Sequence, residues 1–235
     1  NKYEKNASAL LASHFIKASA QYNAEVPHKN PEDYLDAIKL HFFDAMSLSD
    51  SVLSHSTFVN DRLNDYVFYL HQGDDPETEN KLQKDAIEKA VKWIGMSTEV
   101  LSNFEEELLE TYLLQENVDM INFVKDNYYT NLPSQYQNEE LLRRLTAVLK
   151  TAIGITAPDF SWKEDGVEKS LHSLTGTDYY IVLFFSSNCP HCQMEIPDFY
   201  TFISGIENIK VVAVGLEDEK ESWEAMTDEY TEFIN

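Results

Sequence analysis

Apolar positions recur every three or four residues through the first two-thirds of the chain, which is typical of amphipathic α-helices. One such stripe consists of Ala86, Ile87, Ala90, Val91 and Ile94. Comparable stripes occupy residues 35–46, 100–112 and 141–149. We therefore predict that residues 1–152 form an all-helical domain of six or seven helices without strands, with the stripes as its core.

Polar residues at fixed places predict where several of these helices begin and end. Asn30 and Asp75 each precede a Pro-Glu pair, and Asn138 precedes two glutamates. Such caps accept hydrogen bonds from N–H groups of the first turn. Proline is tolerated at the first helical position because an N–H there would have no partner within the helix. Ser97 is predicted to cap another helix, and Gly95 to end the one before it.

The pattern changes after residue 152. Apolar runs at residues 181–185 and 209–214 are strand-like, and Asp165-Gly166 is predicted to form a hairpin turn. Residues 217–235 are polar and helix-compatible, with Trp223, Met226, Tyr230 and Phe233 spaced three or four apart. The chain as a whole is therefore predicted to be α+β.

The chain has two cysteines, Cys189 and Cys192, placed between the first strand-like run and a helix. First-turn N–H groups and the helix dipole stabilise a thiolate there, so the Cys189 pKa should lie below the ~8.5 of a free thiol. Pro190 fits the first turn, and His191 adds a donor or a positive charge. We predict that Cys189 attacks and that Cys192 resolves the mixed disulfide.

Three other interpretations of the cysteines are a structural disulfide, half of a zinc site and two idle thiols. Zinc requires further ligands, and the sequence has no second C-x-x-C. Spacing alone does not bring His172 or His191 to the cysteines. We therefore predict no metal and no cofactor.

The segment Ala157-Pro158-Asp159-Phe160, the strand, the C-P-H-C and Glu195-Ile196-Pro197 follow one another in that order. This combination resembles the TlpA-like thiol–disulfide oxidoreductases, a thioredoxin-fold family of extracytoplasmic bacterial proteins. The resemblance covers residues 153–235. It implies that Cys189 is the nucleophile and Cys192 the resolving thiol, with Glu195 as the family's acid and Pro197 as its helix-kinking proline.

Some positions depart from that family or suit another one. Gln193 stands where many relatives have a basic residue, and C-P-H-C is also similar to the DsbA-type oxidases, which leaves the direction of electron flow open. A peroxiredoxin site, P-x-x-x-[TS]-x-x-C, would match Ser186 but have Val182 in place of its proline. A second thiol three residues on also favours dithiol exchange over peroxide chemistry.

The resemblance implies elements of the thioredoxin fold that this sequence does not contain. A further strand pair, a last helix and a cis-proline opposite the disulfide should follow, but the last proline is Pro197. We therefore predict a C-terminally incomplete thioredoxin-like domain in residues 153–235. Residues 181–185 would then form an unpaired apolar edge, which favours self-association and weak reductase activity.

Charge and apolar content restrict the partners. The net charge of −23 excludes nucleic acid and disfavours anionic membranes, and no apolar run approaches the ~20 residues of a membrane span. The run from Glu105 to Glu107 is predicted to be a solvated face. Structural or surface roles are predicted for the histidines of the first domain, which are His14, His28, His41, His55 and His71.

The absence of an initiator methionine suits a trimmed or mature fragment from which an export signal or anchor was removed. A periplasmic or otherwise extracytoplasmic bacterial location is what the resemblance implies. The predicted function is disulfide exchange with protein thiols, recycled by a membrane-bound redox partner. The alternative is a non-enzymatic redox-sensing or partner-binding module. In either case the helical domain is hypothesised to dock partners.

Overall fold

A computed structural model describes residues 10–24, 28–164, 166–216 and 220–234. The chain divides into two compact units, Asn1–Pro158 and Asp159–Asn235, each with its own hydrophobic core. The described part of the first unit is helical, and the second combines helices with a small sheet. The predicted α+β class is therefore confirmed.

Eight α-helices occur in the described part of the first unit, with no strand. They are α1 (Ala12–Ala18), α2 (Pro31–Leu40), α3 (Ser51–Ser54), α4 (Phe58–Asn64), α5 (Pro76–Ile94), α6 (Thr98–Leu114), α7 (Val118–Asn127) and α8 (Glu139–Lys150). A π-helix, Asp65–Tyr69, continues α4, and the 3₁₀ turns Tyr129–Asn131 and Ser134–Tyr136 precede α8. The predicted count of six or seven was too low because α1 and α3 are too short to show a helical repeat.

Most predicted helix ends are confirmed by hydrogen bonds. The Asn30 side chain accepts from the Asp33 N–H at 2.7 Å, and Asp75 accepts from the Thr78 N–H at 2.9 Å. Gly95 ends α5 with φ +68°, a positive angle that glycine adopts readily. Ser97 does precede α6, but its side chain makes no cap hydrogen bond, so that part of the prediction was wrong.

The apolar stripes form the first core, with two corrections. Ala86, Ile87 and Ala90 are fully buried. The stripe at residues 35–46, however, extends beyond its helix, because α2 ends at Leu40. Glu105 was predicted to be solvated but is 2% exposed. The reason is that α6 packs against α4, α5, α7 and α8, so its buried face is wider than one stripe.

The histidines of the first unit fit structural or surface roles. His14 pairs with Asp50 at 2.6 Å, and buried His71 donates through Nδ1 to the Tyr66 carbonyl at 2.6 Å. Burial lowers the pKa of His71, so this ring favours its neutral form. Within the described residues, no group of three or more His, Cys, Asp or Glu is placed to hold a metal ion.

The second unit begins with an antiparallel hairpin of β1 (Ser161–Glu164) and β2 (Val167–Ser170). Glu164 pairs with Val167, so the turn falls where the sequence predicts it; Asp165 itself lies outside the described residues. Gly166 has φ +77°, as a tight hairpin turn requires.

A parallel sheet of order β3-β4-β5 follows the hairpin. Its strands are β3 (Tyr179–Phe185), β4 (Ile209–Gly215) and β5 (Phe233–Ile234), joined by the helices α9 (Pro190–Ile203) and α10 (Lys220–Thr227). Both helices pack on one face of the sheet, where Phe185, Ile196, Val211 and Phe233 share a core. Among the described strands, β3 lies at one edge.

The prediction of a helix through residues 217–235 was wrong at its end. α10 ends at Thr227, and Phe233 pairs with Val211 as part of β5. Tyr230 and Phe233 lie beyond the end of the helix but are buried in the second core. Their three-residue spacing therefore reflects burial and does not indicate a helix. Among the described residues, no helix combines the length and the apolar character needed to cross a bilayer.

Candidate active site

Both cysteines lie at the junction between the end of β3 and the start of α9. Phe185, the last residue of β3, is buried and accepts a hydrogen bond from the Leu216 N–H at 3.0 Å, which anchors the end of the strand. A turn follows, closed by the Cys189 N–H donating to the Ser186 carbonyl at 3.2 Å. Cys189 is the N-cap of α9, and Pro190 occupies the first helical position.

Hydrogen bonds converge on the sulfur of Cys189. Sγ accepts from the backbone N–H of Cys192 at 3.5 Å, and both cysteines are free thiols. The Cys192 thiol, then its backbone N–H and that of His191, hold the pKa of Cys189 below its usual value, against the opposing effect of burial. Hydrogen bonds to a thiolate favour its ionised form, so this environment favours the thiolate of Cys189.

Cys192 differs from Cys189 in its surroundings. It lies one helical turn further along α9 and packs against the second core, which contains Phe185 and Ile196. Both thiols are half-buried, whereas Pro190 and His191 are exposed. The arrangement gives an N-cap thiol against the first turn of α9 and a second thiol packed on the core.

The predicted supporting residues contribute unequally. His191 stabilises the Cys189 thiolate through its backbone N–H. Glu195 is exposed on α9, and among the described residues no hydrogen bond joins its carboxylate to either thiol. Pro197 lies inside α9, where it lacks the N–H that would bond to the Gln193 carbonyl.

Gln193 has a role that sequence reasoning missed. Its side-chain Nε2 donates to the Ser187 carbonyl at 2.7 Å, and its backbone N–H donates to the Cys189 carbonyl at 3.0 Å. The residue thus ties the turn before the dithiol to the first turn of α9. The only signal in the sequence was that position 193 is an amide where the resembled family favours a basic residue.

The Ser-Ser-Asn segment before Cys189 acts as turn structure. The Asn188 N–H donates to Ser186 Oγ at 3.2 Å, and Ser187 is buried. The Ser186 hydroxyl thus shapes the turn that leads into Cys189.

A comparison with protein families supports thiol-dependent redox activity in the second unit. Residues 153–234 match the AhpC/TSA family. Its members are thioredoxin-fold, thiol-dependent peroxidases and oxidoreductases, and the match covers about a third of the chain, including both cysteines. No curated protein and no solved structure shows significant similarity. At this level the second unit is thioredoxin-like and similar to thiol oxidoreductases.

Proposed function

We propose that the protein is a TlpA-like thiol–disulfide oxidoreductase that exchanges disulfides with protein thiols through Cys189 and Cys192. The observation that carries this proposal is the N-cap position of Cys189, whose sulfur accepts the Cys192 N–H and whose pKa is lowered. A low-pKa thiol with a second thiol one turn away is the arrangement that dithiol exchange requires.

The reaction uses the two sulfurs in sequence. The Cys189 thiolate attacks one sulfur of a client disulfide, forming a mixed disulfide and releasing a client thiolate that takes up a proton. Cys192 then loses its proton to water and attacks the Cys189 sulfur, which releases the second client thiolate. The client gains two electrons, and Cys189–Cys192 becomes a disulfide. The same steps in reverse oxidise a client.

Turnover requires a second redox partner, because each client reaction leaves the dithiol in the opposite state. We propose a membrane-bound partner and a periplasmic or otherwise extracytoplasmic location. The support is the order of Ala157-Pro158-Asp159-Phe160, the C-P-H-C and Pro197, which resembles extracytoplasmic oxidoreductases. The reduction potential of the pair decides the direction: a value near that of thioredoxin favours a reductase, and one near that of DsbA favours an oxidase.

Trapping of clients tests the exchange itself. Cys192→Ser retains the nucleophile but not the resolving thiol, so it should accumulate mixed disulfides that non-reducing electrophoresis detects and thiol reductants release. The double variant, in which Cys189→Ser is added, is the control and should trap nothing. A single variant that traps no more than the double variant would instead favour the non-enzymatic redox-sensing or partner-binding module.

The family match makes peroxide reduction the second candidate function. A peroxidatic cysteine is oxidised to sulfenic acid by peroxide and does not need Cys192 for that first step. Rapid sulfenic-acid formation at Cys189 in the Cys192→Ser variant, with no client trapping, would favour a peroxidase. We expect slow formation, because Val182 occupies the place of the peroxiredoxin proline.

A further inference from the structure

The helical unit contains an aromatic cleft that the dithiol chemistry does not use. Its volume is about 420 Å³, within the range of small-ligand sites. Three separate segments line it: the chain after α1, helix α2, and the junction of α4 with the π-helix. We define the aromatic cleft by Tyr22, Tyr34, Phe42, Arg62, Asp65 and Tyr69.

The rings of the cleft are held in place from several sides. Tyr22 stacks on His41 with ring centroids 4.6 Å apart and an interplanar angle of 10°. The Tyr22 and Tyr34 centroids are 6.5 Å apart. Tyr69, in contrast, is 74% exposed and belongs to the π-helix, an element that recurs at functional sites. The cleft therefore has one stacked tyrosine, Tyr22, and two tyrosine rings open to solvent, because Tyr34 is also exposed.

Two charged groups supply the polarity. The Arg62 guanidinium lies over the Phe42 ring at 4.2 Å and donates to Asp65 Oδ2 at 3.1 Å. The Arg62 side chain is 21% exposed, whereas that of Asp65 is 55% exposed. The positive charge is thus packed and paired, and the carboxylate is the charged group that faces solvent.

The charge around the cleft is also negative. Helix α2, which carries Tyr34, has exposed acidic residues at Glu32, Asp33 and Asp36. The whole chain has a net charge of −23. An anionic ligand is disfavoured by this field, whereas a cation is attracted to it and also interacts favourably with tyrosine faces.

We propose that the aromatic cleft binds a basic peptide segment of a partner protein, with an arginine or lysine side chain against the tyrosines and Asp65. A peptide fits the polar groups better than a simple organic cation does. Its carbonyl oxygens can accept from the Arg62 guanidinium, which lines the cleft and, among the described residues, donates only from Nη1 to Asp65. This site is independent of Cys189 and Cys192.

The test uses the full chain and peptides without cysteine, so failure of the proposed thiol exchange cannot affect it. The probe is a pentapeptide of alanines with a central arginine, blocked at both ends. The matched probe replaces the arginine by citrulline, which has nearly the same shape and no charge. Binding is followed by amide chemical shifts of the ¹⁵N-labelled protein, which give both the affinity and the location.

The arginine peptide should shift the amide resonances of the aromatic cleft with millimolar or tighter affinity. The citrulline peptide should bind more weakly. Asp65→Asn and Tyr69→Ala should each weaken the arginine peptide by about 3- to 10-fold, because each removes one favourable interaction with the cation. The controls are Asp126→Asn, an exposed acid outside the cleft, and Phe202→Ala, an aromatic residue with the same 74% exposure in the second unit. Both should bind as the unaltered protein does.

Three outcomes would overturn the proposal. The first is that no cleft amide shifts with the arginine peptide. The second is equal affinity for the arginine and citrulline peptides. The third is an affinity unchanged by both Asp65→Asn and Tyr69→Ala, each of which alters a solvent-exposed side chain and should fold normally.

Discussion

Glu105 is a buried carboxyl group in the middle of α6. It is 2% exposed, and its Oε2 has no hydrogen-bond partner among the described residues. Burial raises its pKa from 4.5 to about 7. The neighbouring titratable groups that the structure describes offer no positive charge to offset this burial. Tyr128 and Tyr129 lie nearby, and the negative charge of Glu105 raises the pKa of each. Ionisation of Glu105 therefore opposes folding.

We predict that Glu105 makes stability fall as pH rises from 4.5 to about 7. Below pH 4.5 the carboxyl is protonated in both states, and above pH 7 it is ionised in both, at a cost to the folded state of about 3 kcal/mol. Glu105→Gln should remove this pH dependence. The variant's free energy of unfolding should therefore exceed that of the unaltered protein by an amount that grows with pH. Urea unfolding at several pH values measures it.

The neighbouring Glu107 is exposed and provides a matched control for that experiment. Glu107→Gln should follow the pH dependence of the unaltered protein. If Glu105→Gln and Glu107→Gln give parallel stability curves, the Glu105 carboxyl is not buried in its neutral form.

The pKa of Cys189 gives a second prediction for single residues. The Cys192 thiol is the largest cause of its lowering, and His191 contributes through its backbone N–H, which any side chain leaves in place. Cys192→Ala should therefore raise the Cys189 pKa towards its usual value, while His191→Ala should change it little. Thiolate absorbance against pH measures both. A larger shift from His191→Ala would show that the imidazole acts directly on the thiolate.

The placement of the two cysteines between a strand and a helix was predictable because its determinants are local. Two cysteines, a strand before them and a helix after them lie within a dozen residues. The burial of Glu105 and the hydrogen bond from Gln193 to the Ser187 carbonyl depend on three-dimensional packing that spacing does not record. The aromatic cleft combines residues from three separate segments, so no local pattern along the chain indicates it.

Capping at the scale of whole helices gives a third prediction. The Asn138 side chain accepts from the Glu140 and Leu141 N–H groups at 3.1 and 3.2 Å, whereas the Ser97 side chain makes no such bond. Asn138→Ala should cost about 1 kcal/mol of the free energy of unfolding, and Ser97→Ala clearly less. Chemical denaturation of both variants measures the difference. Equal losses would mean that cap hydrogen bonds do not account for the stability of these helix starts.

Elements with strong local signals were mostly predicted, including the apolar runs of β3 and β4, whereas the short strand β5 was not. Asn30, Asp75 and Gly95 mark helix ends through bonds or dihedral angles within one turn. Phe233–Ile234 has two residues and becomes a strand only through its pairing with β4. An isolated strand this short has no stability of its own, so the apolar spacing around it was misread as helix.

For the whole molecule, the division into two units predicts where a protease cuts. Residues 151–158 follow α8, contain no helix or strand and are almost all exposed, and Ile153 is fully exposed. Exposed connections of this kind are preferred sites of nicking. Among the described segments, we expect limited subtilisin treatment to cut first at residues 151–158, which mass spectrometry of the fragments would locate.

The fragments then report on the independence of the units. The larger core, which contains Phe104, Leu108 and Tyr112, belongs to the first unit alone. The N-terminal fragment should therefore keep its helical circular dichroism and unfold cooperatively after the cut. Urea-unfolded protein, the control, should be cut throughout. A first cut inside α5 or α6 in the native protein, or loss of helix on cleavage at residues 151–158, would contradict a helical unit that is stable by itself.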